Sequence, residues 1–190
     1  MAASVTTRLM SALFGTCLPL LSQAVEIPPP AYQLAAYAAG IPSEVLYSVA
    51  LQESGTFLRG QKKQLVPWPW SLNVAGATYR FATRDDACKA LVLAIAKVGR
   101  KQVDVGLGQV NMGWNGHRFS FPCEALNPYK NLQVTSQILV EERAKSKDWI
   151  TAAGRYHRPA GGAPAERYRK LFAKHLSRVT GINQLVADNP

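Results

Sequence analysis

Apolar residues recur every three to four positions in several stretches of the chain, and each stretch is bounded by proline, glycine or a capping side chain. This spacing places the apolar side chains on one face of a helix. It predicts six helices, over residues 31–39, 42–54, 83–97, 127–145, 148–156 and 166–180. The pattern is therefore typical of a mainly helical domain.

A different pattern separates the second predicted helix from the third. Ser71–Val74 and Thr78–Phe81 are short runs with β-prone residues, and Gly76 lies between them. Two such runs around a glycine turn predict a pair of strands. We therefore expect a mainly α, single helical domain with a small β-hairpin near residues 68–82.

Residues 1–24 carry the pattern of an export signal. A single charge, Arg8, precedes the apolar run Leu9–Leu21, and the small residues of Ser22-Gln23-Ala24 follow. The run is shorter than the stretch of about 20 apolar residues that spans a bilayer. We expect cleavage after this segment and export of residues 25–190 to the periplasm with no permanent membrane anchor. The alternative is an uncleaved anchor.

The composition is that of a folded globule. The chain has 190 residues, of which 47% are hydrophobic and 18% charged, and these values exclude a disordered chain, a coiled coil and a collagen-like polymer. With 22 Lys and Arg against 12 Asp and Glu, the formal net charge is +10. Such a charge predicts an anionic partner, and nucleic acid, an acidic membrane surface and the bacterial cell wall all qualify.

Loss of the signal segment would remove Cys17 and leave two cysteines, Cys88 and Cys123. An even pair in an exported protein favours a disulfide, and two separate buried thiols are the alternative. The three histidines are far apart in the sequence, at positions 117, 157 and 175. We therefore expect no metal site and no cofactor.

One acidic residue of the second predicted helix lies on the apolar face. At about 100° per residue, Leu46 and Val49 fall within about 60° of Glu53. Glu44 falls about 180° away, on the side of Ser48, and we expect it in solvent. Burial of a carboxyl group raises its pKa, and a carboxylic acid that is protonated near neutral pH can act as a general acid. Alternatively, Glu53 turns out to water or pairs with an arginine.

Three short motifs follow one another along the chain. They are Glu53-Ser54, the segment Val105–Asn111 with the sequence VGLGQVN, and the segment Ala152–His157 with the sequence AAGRYH. In this order they resemble the SLT-type lytic transglycosylases, which carry a Glu-Ser pair, a Gly-Leu-Met-Gln segment and an Ala-Tyr-Asn segment. The resemblance extends over residues 31–174.

Further segments resemble one subgroup of that family. Residues 67–73, 79–84 and 104–111 are similar to segments of the small, single-domain transglycosylases encoded with conjugative DNA-transfer systems, in particular those of integrating conjugative elements. The resemblance implies an α+β lysozyme-like fold for residues 25–190. It also implies cleavage of peptidoglycan glycan strands, and components of a conjugative secretion apparatus as possible partners.

The resemblance also assigns roles to individual residues. Glu53 matches the sole catalytic acid of the family, and Gln109 matches the glutamine that holds the substrate or the acid. Tyr156 matches a tyrosine whose hydroxyl reaches the N-acetyl group of the substrate or the catalytic carboxyl. Ser54 either hydrogen-bonds the acid or ends the helix, and Asn111 either lines the groove or caps a turn.

Two positions depart from the family pattern. His157 stands where many members have asparagine, and Gly108 stands where many have methionine. Both changes affect the expected contacts with the sugar rather than the reaction. We still include His157 among the substrate-binding residues.

Four other residues have open roles. Asp104 either serves as a second carboxylate, as in a hydrolysing, lysozyme-like muramidase, or pairs with a nearby base as a loop acid. Trp68, Trp70 and Trp114 either stack on sugar faces or pack against the core.

The rival hypothesis from another class is a catalytically idle scaffold that binds peptidoglycan within a secretion system. A nucleic-acid-binding function would depend on charge alone, because no helix-turn-helix, RRM or zinc signature accompanies the basic residues. We therefore expect no nucleic-acid partner, and we expect a monomer.

Overall fold

The computed structural model of the protein describes residues 26–58 and 64–181. The predicted export signal, residues 1–24, lies outside the described residues. Within them the chain is mainly α-helical with small antiparallel sheets. Its α-helices are α1 (Pro30–Ala39), α2 (Ser43–Ser54), α3 (Arg84–Val98), α4 (Pro128–Arg143), α5 (Trp149–His157) and α6 (Ala163–Thr180). The six predicted helices are confirmed, with ends that differ by a few residues.

Local capping groups explain where several of these helices begin or end. Gly40 stops α1 in the left-handed conformation, with a φ angle of 66°. At the starts of α3, α4 and α5, the side chains of Thr83, Asn127 and Asp148 each accept a hydrogen bond from a first-turn backbone N–H. These bonds satisfy donors that the helix itself leaves unpaired.

The central helix, α2, is buried on all sides, and this corrects the expectation of an amphipathic helix. Every side chain from Val45 to Leu51 is buried, and Ser48, on the face expected to meet solvent, is 0% exposed. Glu44 is itself partly buried. The reason is that α1, α4 and α6 all pack against α2. Periodicity therefore could not distinguish a core face from a solvent face in this helix.

Within the described ranges, no single helix is long and apolar enough to cross a membrane. Only α1 and α2 taken together pass that test, and the pair is bent by 119° at its junction.

The strands form two antiparallel sheets. They are β1 (Gly55–Leu58), β2 (Gln64–Pro67), β3 (Ser71–Val74), β4 (Ala77–Arg80), β5 (Val103–Val105) and β6 (Val110–Asn111). The first two strands pair with each other, and the others form a sheet in the order β4-β3-β5-β6. The predicted hairpin is confirmed as β3 and β4. The other four strands were not predicted.

Two hydrophobic clusters fill the interior. The first surrounds α2 and includes Leu46 and Phe172, whereas the second lies between the four-stranded sheet and α3 and includes Leu72. The segment between β5 and β6 joins them, because Leu107 packs in the first cluster and Val110 in the second. This short segment therefore lies at the boundary between the helical part and the sheet.

A disulfide links Cys88 of α3 to Cys123, as predicted. It fastens α3 to the segment that precedes α4. Closing a loop of 35 residues stabilises the folded state by about 4 kcal/mol in the chain-entropy treatment.

Candidate active site

A cleft of about 700 Å³ lies where the four-stranded sheet meets α2, α4 and α5. It is lined by five of the residues singled out from the sequence, namely Glu53, Gln109, Asn111, Tyr156 and His157. The sixth, Ser54, does not line the cleft. Asp104 and Trp114 also belong to the lining. The structure therefore brings together residues that are up to about a hundred positions apart in the sequence.

Glu53 is the penultimate residue of α2, where the buried helix reaches the cleft. Burial of the carboxyl group raises the pKa of Glu53 from 4.5 to about 8. The negative charge of Asp104 raises this pKa further, while a hydrogen bond from Tyr168 opposes the rise. Glu53 is consequently a protonated acid at neutral pH, which is the state that a general acid requires.

Tyr168 was not singled out from the sequence, yet it is the direct partner of the acid. Its hydroxyl donates a hydrogen bond of 2.7 Å to Glu53 Oε1. It lies on the buried stripe of α6 with Ala165 and Phe172. A tyrosine on the core-facing stripe of a helix needs a hydrogen-bond partner for its hydroxyl. This was the one feature of the sequence from which a role for Tyr168 could have been inferred.

The ring of Tyr168 is also stacked on the ring of His157, with centroids 4.7 Å apart and planes at 10°. Partial burial of the imidazole and the nearby charge of Arg158 lower the pKa of His157. The imidazole is therefore neutral at neutral pH, and its position at the cleft is set by the tyrosine that also bonds Glu53.

Gln109 ends a tight turn between β5 and β6. Gly106 has a φ angle of 81° and Gln109 has one of 45°, so both occupy the left-handed region that most residues avoid. The side-chain Nε2 of Gln109 donates to the carbonyl oxygens of Gly106, at 2.8 Å, and Ser71, at 3.2 Å. These bonds hold the amide group in the wall of the cleft.

Asn131 of α4 holds the same turn from the side of that helix. Like Tyr168, it was not identified from the sequence as a residue of the site. Its Nδ2 donates to the carbonyl oxygens of Val105 and Ala125 at 2.9 Å each, and its Oδ1 accepts from the N–H of Gly108. Asn131 is 1% exposed, so these bonds replace water for every polar atom involved. This buried amide therefore fixes the position of the turn that carries Gln109 relative to α4.

Ser54 fastens the end of α2 to that turn. Its hydroxyl lies 2.9 Å from the carbonyl oxygen of Leu107 and 3.1 Å from that of Ala50. The side chain is buried and directed into the protein, where it joins the helix that bears the acid to the turn that bears Gln109. Among the described residues, no hydrogen bond joins Ser54 to the carboxyl group of Glu53.

Tyr156 closes the turn from the side of α5. Its hydroxyl donates a hydrogen bond of 2.5 Å to the carbonyl oxygen of Gly108. Burial, with the negative charge of Glu53 as a lesser cause, raises the pKa of Tyr156 above its ordinary value, so the phenol stays neutral. The close approach also explains the glycine, because a Cβ on residue 108 would lie 2.0 Å from Thr135 Oγ1.

Asp104 lies on β5 and is half-buried in the cleft wall. Its Oδ1 accepts a hydrogen bond of 2.8 Å from Asn111 Nδ2. Burial raises the pKa of Asp104, and the bond from Asn111 opposes this. Within residues 26–58 and 64–181 no ion pair of Asp104 is found, so the structure does not show the alternative in which Asp104 pairs with a nearby base such as Lys101 or Arg100.

Asn111 supports the cleft wall through both ends of its amide. Besides Asp104, its Nδ2 donates to the carbonyl oxygen of Lys101, and its Oδ1 accepts from the N–H groups of Gly113 and Trp114. The residue therefore lines the groove and also caps a turn.

Of the three tryptophans considered, only Trp114 lines the cleft. It is 67% exposed, and the Nζ of Lys101 lies 4.8 Å from the ring centroid. Trp68 and Trp70 contact each other edge to face, and Trp70 packs against the second hydrophobic cluster. A flat sugar face can therefore stack in the cleft on Trp114 alone among these three.

Comparison with known proteins finds no protein-family model, no curated protein and no solved structure that matches the chain. In the part of the chain that the structure describes, no group of three or more His, Cys, Asp or Glu side chains is placed to hold a metal ion.

The raised pKa of Glu53 predicts a pH-dependent cost to folding. Between the unfolded pKa of 4.5 and the folded pKa of about 8, the folded state retains a proton that the unfolded state has lost. Stability therefore falls as pH rises through this range. We expect Glu53→Gln to match the unmodified protein near pH 4 and to be more stable at about pH 8.5, as measured by urea unfolding. Glu44→Gln, on the same helix, is the control, and a difference that did not grow with pH would contradict the assignment.

Gly108→Ala tests the close packing of the turn. The added methyl group would meet Thr135 Oγ1 at 2.0 Å and Tyr156 Oη at 2.9 Å, and we expect a loss of about 1–3 kcal/mol in urea unfolding. Gly116→Ala, where the nearest atom is 3.6 Å away, should cost much less. Adding Thr135→Ala to Gly108→Ala should restore part of the loss. Equal losses for the two glycine variants would show that the turn is not closely packed.

Proposed function

We propose that the protein is a lytic transglycosylase that cleaves the β-1,4 bond between N-acetylmuramic acid and N-acetylglucosamine in peptidoglycan. The observation that carries the proposal is Glu53, a carboxylic acid with a pKa of about 8 at a cleft large enough for sugar rings. A neutral acid at neutral pH is what protonation of a glycosidic oxygen needs. The order of the three sequence motifs supports this substrate class.

In the proposed reaction Glu53 acts first as an acid and then as a base. Because Tyr168 donates to Oε1, the proton of the acid resides on Oε2. This proton passes to the glycosidic oxygen as the C1–O bond of the muramic residue breaks and the carbonyl oxygen of its N-acetyl group bonds to C1. The Glu53 carboxylate then takes the proton of the C6 hydroxyl while O6 displaces the acetyl oxygen from C1. The product is a 1,6-anhydromuramyl end, and the acid is restored.

The other cleft residues have positioning roles in this proposal. Gln109, Tyr156 and His157 present amide, hydroxyl and imidazole groups that suit the N-acetyl and hydroxyl groups of the sugars. Trp114 offers an exposed ring for stacking on a pyranose face. Ser54 and Asn111 act indirectly, through the turn and the cleft wall that they hold.

The proposal extends to the fold and setting of the protein. The helical part, the small sheet and the cleft between them suit an α+β lysozyme-like domain formed by residues 25–190. A protein of net charge +10 suits an anionic polymer such as peptidoglycan. We propose that it is exported as a monomer and opens the wall locally for a conjugative secretion apparatus.

The second candidate function is hydrolysis by a muramidase, and the position of Asp104 favours it. Asp104 lines the same cleft and is close enough for its charge to raise the pKa of Glu53. Two carboxyl groups in one cleft can divide the work, with one protonating the leaving oxygen and the other activating water or bonding to the sugar. This reaction would give reducing ends instead of anhydro ends.

Digestion of purified peptidoglycan sacculi separates these functions. We expect the unmodified protein to release muropeptides with anhydro ends, about 18 Da lighter than reducing ends because one water fewer is added. Glu53→Gln should abolish the release while retaining the fold, and Glu44→Gln should leave it unchanged. Mass spectrometry of the released fragments is the measurement.

The remaining outcomes of this digestion each favour another function. Reducing ends that disappear in Asp104→Asn would identify a hydrolase. No release by the unmodified protein, in a sample shown to be folded by circular dichroism, would contradict both reactions and favour a catalytically idle scaffold.

Tyr168→Phe tests the role of the hydroxyl that bonds Glu53. Activity requires the protonated acid, so it should decline as pH rises through about 8. The Tyr168 hydrogen bond lowers the pKa of Glu53, and its loss should move this decline upward by about one pH unit while kcat falls. Tyr47→Phe is the matched control, because the Tyr47 hydroxyl bonds Glu26. An unchanged pH profile in Tyr168→Phe would show that the bond does not tune the acid.

A further inference from the structure

The cleft contains one permanently charged cation among its described lining residues, and that residue is Arg158. The groups of a glycan strand that would contact an acid such as Glu53 are neutral: they are the hydroxyl groups, the ether oxygens and the N-acetyl groups of the sugars. A guanidinium is not needed to bind them. The presence of a guanidinium in the lining therefore favours a ligand that carries an anionic group.

We propose that Arg158 forms a carboxylate-binding subsite at the rim of the cleft, which selects glycan strands that carry acidic substituents. This subsite rests on the proposed function, since it assumes that a glycan strand occupies the cleft. The subsite would let the protein discriminate between glycan strands with and without carboxylates. The acid Glu53 and the amide of Gln109 cannot make this distinction alone.

The backbone of Arg158 is fixed at both ends. Its N–H donates to the carbonyl oxygen of Gly154 at 3.0 Å, which ends α5, and its carbonyl oxygen accepts from the N–H of Gly161 at 3.0 Å. Pro159 follows directly and restricts the chain further. The side chain therefore extends from a fixed point beside His157, close to the residues that hold the acid.

The guanidinium of Arg158 is also available to a ligand. Three other arginines of α5 and α6 have carboxylate partners. Arg155 lies 2.7 Å from Glu142, Arg169 lies 3.9 Å from Glu166 and Arg178 lies 3.3 Å from Glu26. In the described parts of the chain, no carboxylate lies within 4.0 Å of Arg158. An exposed guanidinium offers two parallel N–H donors, which match the two oxygens of a carboxylate.

Peptidoglycan offers carboxylates from two sources. The stem peptides carry side-chain and terminal carboxylates, and the lactyl group of muramic acid carries a carboxylate wherever its peptide has been removed. Both present the same two-oxygen group, either on the lactyl arm of the muramic residue or on the peptide attached to it. Chitooligosaccharides have the same β-1,4 linkage and N-acetyl groups but no carboxylate, so they provide the neutral comparison.

Binding measurements with a protein that cannot turn over its ligand test the subsite. In a Glu53→Gln background, we would titrate glycan fragments that carry stem peptides, amidase-treated fragments and chitooligosaccharides of equal length, using calorimetry. Arg158→Gln should weaken binding of the carboxylate-bearing fragments about fivefold, as expected for one exposed ion pair, and should leave chitooligosaccharide binding unchanged. The loss should shrink at high salt.

Two further variants make the result specific. Arg158→Lys keeps the charge without the planar fork and should restore part of the affinity. Arg167→Gln removes one exposed charge from α6 away from the cleft lining and should have no effect of this size. The source is the stem peptide where only peptide-bearing fragments respond, and the lactyl group where amidase-treated fragments respond.

Equal losses for all three ligands, no loss for any, or the same loss in Arg167→Gln would overturn the subsite. A failure of the proposed function appears differently, because the sacculus digestion with unmodified protein would then release no anhydro product. Absence of any glycan binding would contradict the subsite and the proposed function together.

Discussion

The hydrogen bond from Tyr168 to Glu53 joins the last helix to the central one at the point where the central helix meets the cleft. Because α2 is buried from Val45 to Leu51, the helix cannot rotate to carry Glu53 into solvent without exposing its core. The carboxyl group is therefore kept in surroundings that disfavour its charge, and its pKa rises. The chemistry proposed for the cleft depends on this packing of helices more than on any single contact with a ligand.

The turn between β5 and β6 is the second element that gives the cleft its shape. It is held from three directions, by Ser54 of α2, Asn131 of α4 and Tyr156 of α5. Each bond ends on a backbone atom of the turn, so the turn can keep its position only with a small residue at Gly108. Thr135 and Tyr156 thus occupy the space that a side chain at position 108 would need.

Local features of the sequence were sufficient for the helices, whose ends depend on capping residues such as Asn127 and Asp148. They were insufficient for pairings between distant segments. Tyr168 bonds a residue 115 positions away, and Asn131 bonds the backbone of Val105, 26 positions away. No periodic pattern encodes such contacts, because each depends on how the helices pack. The periodicity of α2 correctly predicted that the carboxyl group of Glu53 is buried. It also predicted a solvent-exposed face for α2, and this was wrong because the surrounding helices cover that face.

The presence of Asp104 beside Glu53 has a role in the one-acid reaction proposed above. Burial raises the pKa of both carboxyl groups, and one hydrogen bond opposes the rise in each, from Asn111 to Asp104 and from Tyr168 to Glu53. The pKa of Glu53 nevertheless reaches about 8. Two neighbouring carboxyl groups resist ionising together, so the charge of Asp104 adds to the larger effect of burial in raising the pKa of Glu53. The second carboxylate thereby helps burial to keep Glu53 protonated, and in the proposed reaction the nucleophile comes from the substrate.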